Sequence, residues 1–268
     1  MVPDLASYDI IEISSSAGKD SQAMLFCVAA LLRERGLLAR GVVVHADLGR
    51  VEWPGARDLA EEQARLAGLR FVARARPQGD LLAQVRKLGK WPMPTQRFCT
   101  ADHKRGQILF VLGQLAAEHR LAHKLKPTAP VRILNCVGLR AEESPGRKRA
   151  PALRIGARGT SSRRQIDMWL PIQDWTEAQV WAAVRASKAP VHPAYAAGLP
   201  RASCILCIYA PEAALRRAGR ANPAILAEYV ETERAIGHTF RRHLPIAKIA
   251  ADIAAGVGDD GLIESWCM

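Results

Sequence analysis

The residues best equipped for chemistry begin at Ser14-Ser-Ser-Ala-Gly-Lys-Asp-Ser21, between an apolar run from Ile10 and a helical pattern running from Gln22 to about Arg35. A strand, a small-residue loop and a helix start together point backbone N–H groups at an anion. Ser14, Ser15, Ser16 and Ser21 add hydroxyls, and Lys19 adds a point charge. The chemistry such a set supports is the holding of phosphate. It is not a Walker A loop, because Ile13 stands where that pattern needs glycine and Asp20 follows the lysine. The plainer reading is an ordinary turn capped by Asp or Ser.

A second group is made of thiols. Cys204 and Cys207 form a C-x₂-C pair, and Cys99 lies in the separate stretch Trp91-Pro-Met-Pro-Thr-Gln-Arg-Phe-Cys-Thr-Ala-Asp-His-Lys104. Thiolates suit Zn²⁺ or an iron–sulfur cluster. His103 and Cys267 are the candidates for a fourth ligand, whereas Cys27 and Cys136 fall inside apolar elements and read as core.

Charge narrows the class of partner. The 268 residues carry a formal net charge of +12, which points to an anionic partner, a nucleotide or nucleic acid, or to charge kept for solubility. From Pro145 to Arg164 the chain is Arg-, Gly- and Ser-rich without periodicity, a stretch suited to gripping a polyanion or to lying solvated. No apolar run reaches the roughly 18 residues of a membrane span. The N-terminus has neither a basic n-region nor an apolar h-region, so the expected location is the cytoplasm, with reduced thiols.

These residues need a scaffold. Strands are expected over the apolar run from Ile10 that ends before the Ser14–Gly18 loop, at Leu38–Ala46, Leu69–Ala73 and Val131–Gly138, and from Ile166. Helices are expected over 54–67, 80–88, about 105–123 and 176–187, the last opened by a Thr176/Gln179 capping box. Prolines argue against regular helix in 91–104. Residues 211–256 read as helical, with breaks at Pro223 and Pro245. The alternation predicts an α/β fold, a doubly wound parallel sheet with a C-terminal helical segment, whose ligands sit at the carboxyl ends of the strands. The Ser14–Ser21 and Asp47–Arg50 loops both lie at such ends and are expected to face one crevice. The expected division is 1–190 for the nucleotide-binding α/β part and 191–268 for the Cys-motif and helical part.

Ser16-Ala-Gly-Lys-Asp-Ser21 resembles the Ser-Gly-Gly-Lys-Asp-Ser signature of PP-loop (N-type) ATP pyrophosphatases, with Ala17 in place of the first glycine. With His45-Ala-Asp-Leu-Gly-Arg50, Arg97-Phe-Cys-Thr-Ala-Asp-His-Lys104, Gly138-Leu-Arg-Ala-Glu-Glu-Ser144, Trp169-Leu-Pro-Ile-Gln-Asp-Trp175 and Arg201-Ala-Ser-Cys-Ile-Leu-Cys207, the series resembles the phosphoadenosine phosphosulfate (PAPS) reductase-like family of the adenine nucleotide α-hydrolase (HUP-type) fold. Within it, the resemblance is closest to the branch that includes the DNA phosphorothioation sulfurtransferases, and it thins after residue 210.

The resemblance implies that Ser14, Ser16, Gly18, Lys19, Asp20 and Ser21 surround the pyrophosphate end of ATP, with Mg²⁺. His45, Ala46 and Asp47 would lie beside the adenosine. Arg140 would reach a phosphate, oriented by Glu142 and Glu143, with Arg147 and Arg149 extending the anionic surface. The implied catalytic set is Lys19, Asp20, Arg140 and Glu143. The implied reaction cleaves ATP between its α- and β-phosphates to adenylylate an acceptor for sulfur transfer. Cys99, Cys204 and Cys207 would hold a [4Fe–4S] cluster with one open iron, or alternatively Zn²⁺. The acceptor would be nucleic acid or a small molecule, and a cysteine desulfurase is one candidate sulfur donor. Two further readings stay open. One is a sulfonucleotide reductase using Cys267, although that family's Glu-Cys-Gly-Leu-His-like tail is replaced here by Glu264-Ser-Trp-Cys-Met268. The other is a non-catalytic nucleotide- or nucleic-acid-binding module.

Overall fold

The computed structural model describes residues 2–126, 128–258 and 263; Cys267 lies outside the described residues. In chain order the elements are β1 (Ile10–Ser15), α1 (Lys19–Glu34), β2 (Gly41–Asp47), α2 (Ala56–Ala67), β3 (Arg70–Ala75) and α3 (Leu81–Leu88). Then come α4 (Phe98–Thr100), a π turn (Ala101–Arg105), α5 (Gly106–Ala122), β4 (Val131–Cys136), α6 (Pro145–Lys148), β5 (Leu153–Arg154) and β6 (Arg164–Trp169). Helices α7 (Glu177–Ser187), α8 (Pro193–Ala196), α9 (Glu212–Ala221), α10 (Pro223–Ile236) and α11 (Ile246–Ala254) complete the chain.

The strands form one sheet in the order β3-β2-β1-β4-β6-β5. β1 is central and pairs in parallel with both neighbours, Ile13 opposite Val43 on one side and Cys136 on the other. A strand flanked on both edges and covered on both faces reads as a nearly continuous apolar run, which is why Ile10, Ile11 and Ile13 are all buried, with Glu12 the acidic exception between them. One face packs on α1 and α7 through Met24, Leu25, Val28 and Val180. The other packs on α5 through Ile108, Val111 and Leu112. The fold is thus the expected mostly parallel α/β sheet, with β5 antiparallel at its edge.

The chain divides into two compact units. The first comprises residues 1–46, 57–74 and 106–191 and holds the sheet; the second comprises 47–56, 75–105 and 192–268. The second unit has its own core, in which Trp91 stacks on Tyr229 at 5.2 Å. It therefore draws two segments from the middle of the chain besides the C-terminal part that begins near residue 190. No helix among the described residues is long and apolar enough to cross a membrane.

Three local readings are corrected. The 91–104 stretch becomes helical at Phe98, because its last proline is Pro94 and nothing beyond it blocks the helix. The 145–164 segment is not featureless. Ser144 caps α6, its hydroxyl accepting from Arg147 N–H at 3.3 Å, and β5 adds two residues to the sheet. Elements that short leave no periodic signal. Finally, α10 does not run on to Pro245: it stops at Gly237, whose φ of +61° makes a left-handed cap, and Glu233 accepts the backbone N–H groups of Phe240 and Ile246.

Candidate functional site

The phosphate-type loop sits at the carboxyl end of β1, where the sheet's central strand delivers it to the start of α1. The turn is made by Ala17, at φ +57°, and Gly18, the N-cap. Ala17 N–H is bonded to Ser15 Oγ at 3.2 Å. Ser16 N–H donates to Ser21 Oγ at 3.2 Å, and the Ser21 hydroxyl donates to Gly18 O at 2.9 Å. Gly138, beyond the end of β4, lies flush against this turn. A Cβ there would meet Asp20 O at 3.1 Å and Ser21 N at 3.3 Å, so the close approach of two backbones favours glycine, and any larger residue would push the turn back by a few tenths of an ångström.

The charged side chains interlock. Lys19 is only 2 % exposed and its Nζ lies 3.3 Å from Glu177 Oε1 and 3.8 Å from Asp20. Arg140, 4 % exposed, bonds Asp20 Oδ1 through Nε at 2.6 Å and pairs with Glu142 through Nη1. Burial alone would lower the Arg140 guanidinium; Asp20, Glu142 and Glu143 outweigh that and raise it. Glu143 accepts Arg140 N–H at 3.0 Å and pairs with Arg147. The structure thus brings Ser16, Gly18, Lys19, Asp20, Ser21, Arg140 and Glu143 together.

Other expected residues go elsewhere. Ser14 turns away from the loop and donates to Glu12 Oε1 at 2.9 Å. Glu12 is fully buried with its second oxygen unpartnered, and desolvation pushes its carboxyl up to about 8. His45 is buried, with Nδ1 3.0 Å from Ser15 O and its ring 6.4 Å from Phe71. Ala46 is half-buried beside it, and Asp47 accepts Gly49 N–H at 2.8 Å.

In the second unit, Cys99, Cys204 and Cys207 line one pocket with Arg97, Lys104, Tyr209 and Tyr229. Ile205 N–H bonds Val51 O at 2.9 Å, which ties the C-x₂-C turn to the 47–56 segment. Burial pushes the Cys204 thiol up to about 12 and raises Cys207 as well. Burial would lower the Lys104 ammonium, yet Cys204, Cys207, Glu52 and Cys99 around it hold it above the ordinary lysine value.

The fourth-ligand expectation for His103 meets the π turn. With α-helical spacing, residues 99 and 103 would share a face; a π turn repeats at i+5 and brings Lys104 to the thiols instead. His103 bonds Gln84 Oε1 at 2.5 Å and does not line the pocket.

Among the described residues no three His, Cys, Asp or Glu side chains converge as a metal-binding group. The chemistry around the thiols nonetheless suits a sulfur-ligated centre. The hydroxyls of Tyr209 and Tyr229 and Arg97 Nε are buried without a partner, and sulfur acceptors would satisfy such donors. Sequence reasoning missed Glu177, Glu12 and Tyr229; Gly138 stood out only as the head of the Gly138–Ser144 element, and Tyr209 only as an apolar neighbour of the Cys pair. Glu177 was visible only as an acid in a helix's first turn.

The model of the phosphoadenosine phosphosulfate reductase domain matches residues 10–210. The chain belongs to this family. An uncharacterized 37.8 kDa protein of Escherichia phage 186 is 26% identical over 154 residues, covering 58% of this chain and 42% of that one. An adenosine 5'-phosphosulfate reductase of Burkholderia cepacia is 46% identical over 44 residues, 16% of this chain and 18% of the reductase. The chain spans less than half the length of these curated relatives. Among solved structures, the U34-tRNA thiolase NcsA of Methanococcus maripaludis, determined with its [4Fe-4S] cluster, aligns at a TM-score of 0.44 and 11% identity. That alignment covers 94% of this chain and 75% of the thiolase.

Proposed function

We propose that this member of the family is a cytoplasmic, ATP-dependent enzyme that adenylylates an acceptor in preparation for sulfur transfer. The observation that carries the reading is the pair of deeply buried cations, Lys19 and Arg140, locked by carboxylates against the first turn of α1. Positive groups held without solvent are what a developing charge on transferring phosphoryl oxygens requires. In this scheme an acceptor oxygen attacks the α-phosphorus, the bond to the β-phosphate breaks, and pyrophosphate leaves with the acceptor's proton released. Lys19 neutralises the departing pyrophosphate and Arg140 the α-phosphate. Asp20 and Glu143 hold Arg140 in place, and Mg²⁺ bound with ATP would neutralise further phosphate charge. Ser16, Gly18 and Ser21 contribute donors of the turn. Ser14 acts from beneath through Glu12, and the segment His45–Asp47 is assigned to the adenosine side.

Cys99, Cys204 and Cys207 are the residues that would hold a [4Fe–4S] cluster, or zinc in the alternative, and a cluster would supply a site for the incoming sulfur. Nucleic acid is the favoured acceptor. The 145–164 segment contains no acidic residue, and Lys148, Arg149, Arg154, Arg158 and Arg163 are exposed along it. A sulfur-donor protein such as a cysteine desulfurase would supply the sulfur.

The test is pyrophosphate release from ATP with and without candidate acceptors, on anaerobically purified protein assayed for iron, sulfide and zinc. ATP turnover stimulated by DNA or tRNA is the expected result. No pyrophosphate under any condition would overturn the enzyme reading in favour of a binding module. A colourless protein with one zinc per chain would remove the cluster. The local match to adenosine 5'-phosphosulfate reductases favours a second reading, a sulfonucleotide reductase. It predicts sulfite release from the sulfonucleotide with a thiol reductant, abolished by Cys267→Ala.

A further inference from the structure

The second unit contains a cavity of about 690 Å³ that none of the roles above uses. It is built almost wholly from residues 84–105, on the run between α3 and the π turn. Three of its lining side chains are cationic, Lys90, Arg97 and Arg105, against one carboxylate, Asp102. That carboxylate is already engaged, accepting Gln84 Nε2 at 2.7 Å. Lys90 Nζ donates to the neutral amide oxygen of Gln96 at 2.9 Å, and Arg105 is exposed. The Arg97 guanidinium carbon lies 4.9 Å from the centre of the Tyr209 ring.

We propose that this cavity is a second, phosphate-recognising site that takes a nucleotide-sized ligand, either a free nucleotide or one nucleotide of a strand. The volume lies in the range of about 300–1,000 Å³ typical of small-molecule sites. A planar guanidinium near an aromatic ring, a second arginine, a lysine and the Thr95 and Thr100 hydroxyls make a donor set for phosphate oxygens. Leu88, Pro94 and Phe98 give the remainder of the wall an apolar surface for the body of the ligand. Arg97 and Thr100 also line the thiol pocket, so the bound phosphate would sit one side chain away from Cys99. The inference stands independently of ATP hydrolysis at the β1–α1 loop.

The experiment loads the full-length protein with a saturating non-hydrolysable ATP analogue and then titrates AMP, a 5'-phosphorylated trinucleotide or the same trinucleotide with a 5'-hydroxyl. One equivalent beyond that held at the β1–α1 loop is expected to bind, either of the analogue itself or of a phosphorylated probe that displaces it from the second site. The doubly substituted Lys90→Gln/Arg105→Gln protein, changed only at side chains outside the packed core, should bind it at least about ten-fold more weakly, while Arg105→Lys keeps most of the affinity. Binding of AMP alone assigns the site to a free nucleotide, and binding of the trinucleotide assigns it to a strand. No additional equivalent, or equal affinity in the double variant, overturns the proposal. The stoichiometry of the ATP analogue is read separately, so failure of the first site is not mistaken for failure of the second.

Discussion

The loop at the head of α1 and the thiol pocket solve opposite problems of charge. At the loop the ionised groups answer one another: Lys19 with Asp20 and Glu177, Arg140 with Asp20 and Glu142, Arg147 with Glu143. In the pocket, two tyrosine hydroxyls and an arginine Nε are buried with nothing to bond. A closed network can be held rigid without a ligand, and an anion then enters by displacing the exposed carboxylates; Glu142 and Glu177 are 54% and 45% exposed and can swing into water. An unsatisfied pocket carries the desolvation cost of each orphaned donor, about 1–3 kcal/mol, until something fills it. On the proposed function, the first region is organised before binding and the second would be completed by it.

The largest effect should come from opening the closed network at its most buried cation. Lys19→Met keeps the side chain's volume, leaves Asp20 paired with Arg140, and frees an exposed Glu177. The fold should persist while pyrophosphate release falls by about 10²–10³-fold, the usual loss for one preorganised electrostatic contact. Release within a few-fold of the parent protein would mean that Lys19 only braces α7.

Glu12 is the exception that tests how closed the first region is, since its carboxyl lies buried with no cation beside it. Its folded value, about 8, is above the ordinary 4.5, so the folded protein keeps a proton that the unfolded chain gives up. That contribution is fully present below about pH 4.5 and is lost as pH rises towards 8. Between pH 5 and pH 7 the parent protein should lose roughly 3 kcal/mol of stability from this group, at about 1.4 kcal/mol per pH unit. Glu12→Gln should flatten that slope in parallel denaturant titrations. An unchanged slope would show that Glu12 is ionised and paired.

The same contrast explains what was legible beforehand. The loop's donors are contiguous, so Ser16, Gly18, Lys19 and Asp20 could be read from one octapeptide, and the sheet followed from apolar runs. Glu177 and Gly138 reach the loop from more than a hundred residues away: the capping box around Glu177 marks a helix start and the Gly138–Ser144 element a motif, but neither says that the residue meets the loop. At the thiols, Cys99, Cys204 and Cys207 were legible by type. His103 turns to Gln84 rather than to the pocket, since a π turn, which has no sequence signature of its own, shifts the face by one residue. Tyr229 was invisible for another reason: on α10 it reads as one more core aromatic.

Tyr229→Phe sharpens the other side of the comparison. The ring can keep its stack on Trp91 while the orphaned hydroxyl disappears. In protein stripped with a chelator, the change should stabilise by about 1 kcal/mol, because a buried unsatisfied group is removed. In anaerobically purified protein the gain should vanish, since the hydroxyl then has a sulfur to bond. Equal gains in both preparations would show that the pocket is not completed by binding.

The smallest expected effect is at Ala17, and its size is the outcome of three opposed contributions. A left-handed alanine costs about 1–2 kcal/mol, which glycine would relieve. Glycine returns roughly 0.5–1 kcal/mol of backbone entropy to the unfolded chain, and removing a fully buried methyl forfeits about 0.8 kcal/mol of burial. The sum lies near zero, so Ala17→Gly should move the midpoint of thermal unfolding by less than about 2 °C and leave pyrophosphate release within about two-fold. A stabilisation above about 1 kcal/mol would place real strain in the turn. The loop would then be held closed by its ion pairs against its own backbone, and preorganisation there would rest on Arg140 and Asp20 rather than on the conformation of residues 16–18.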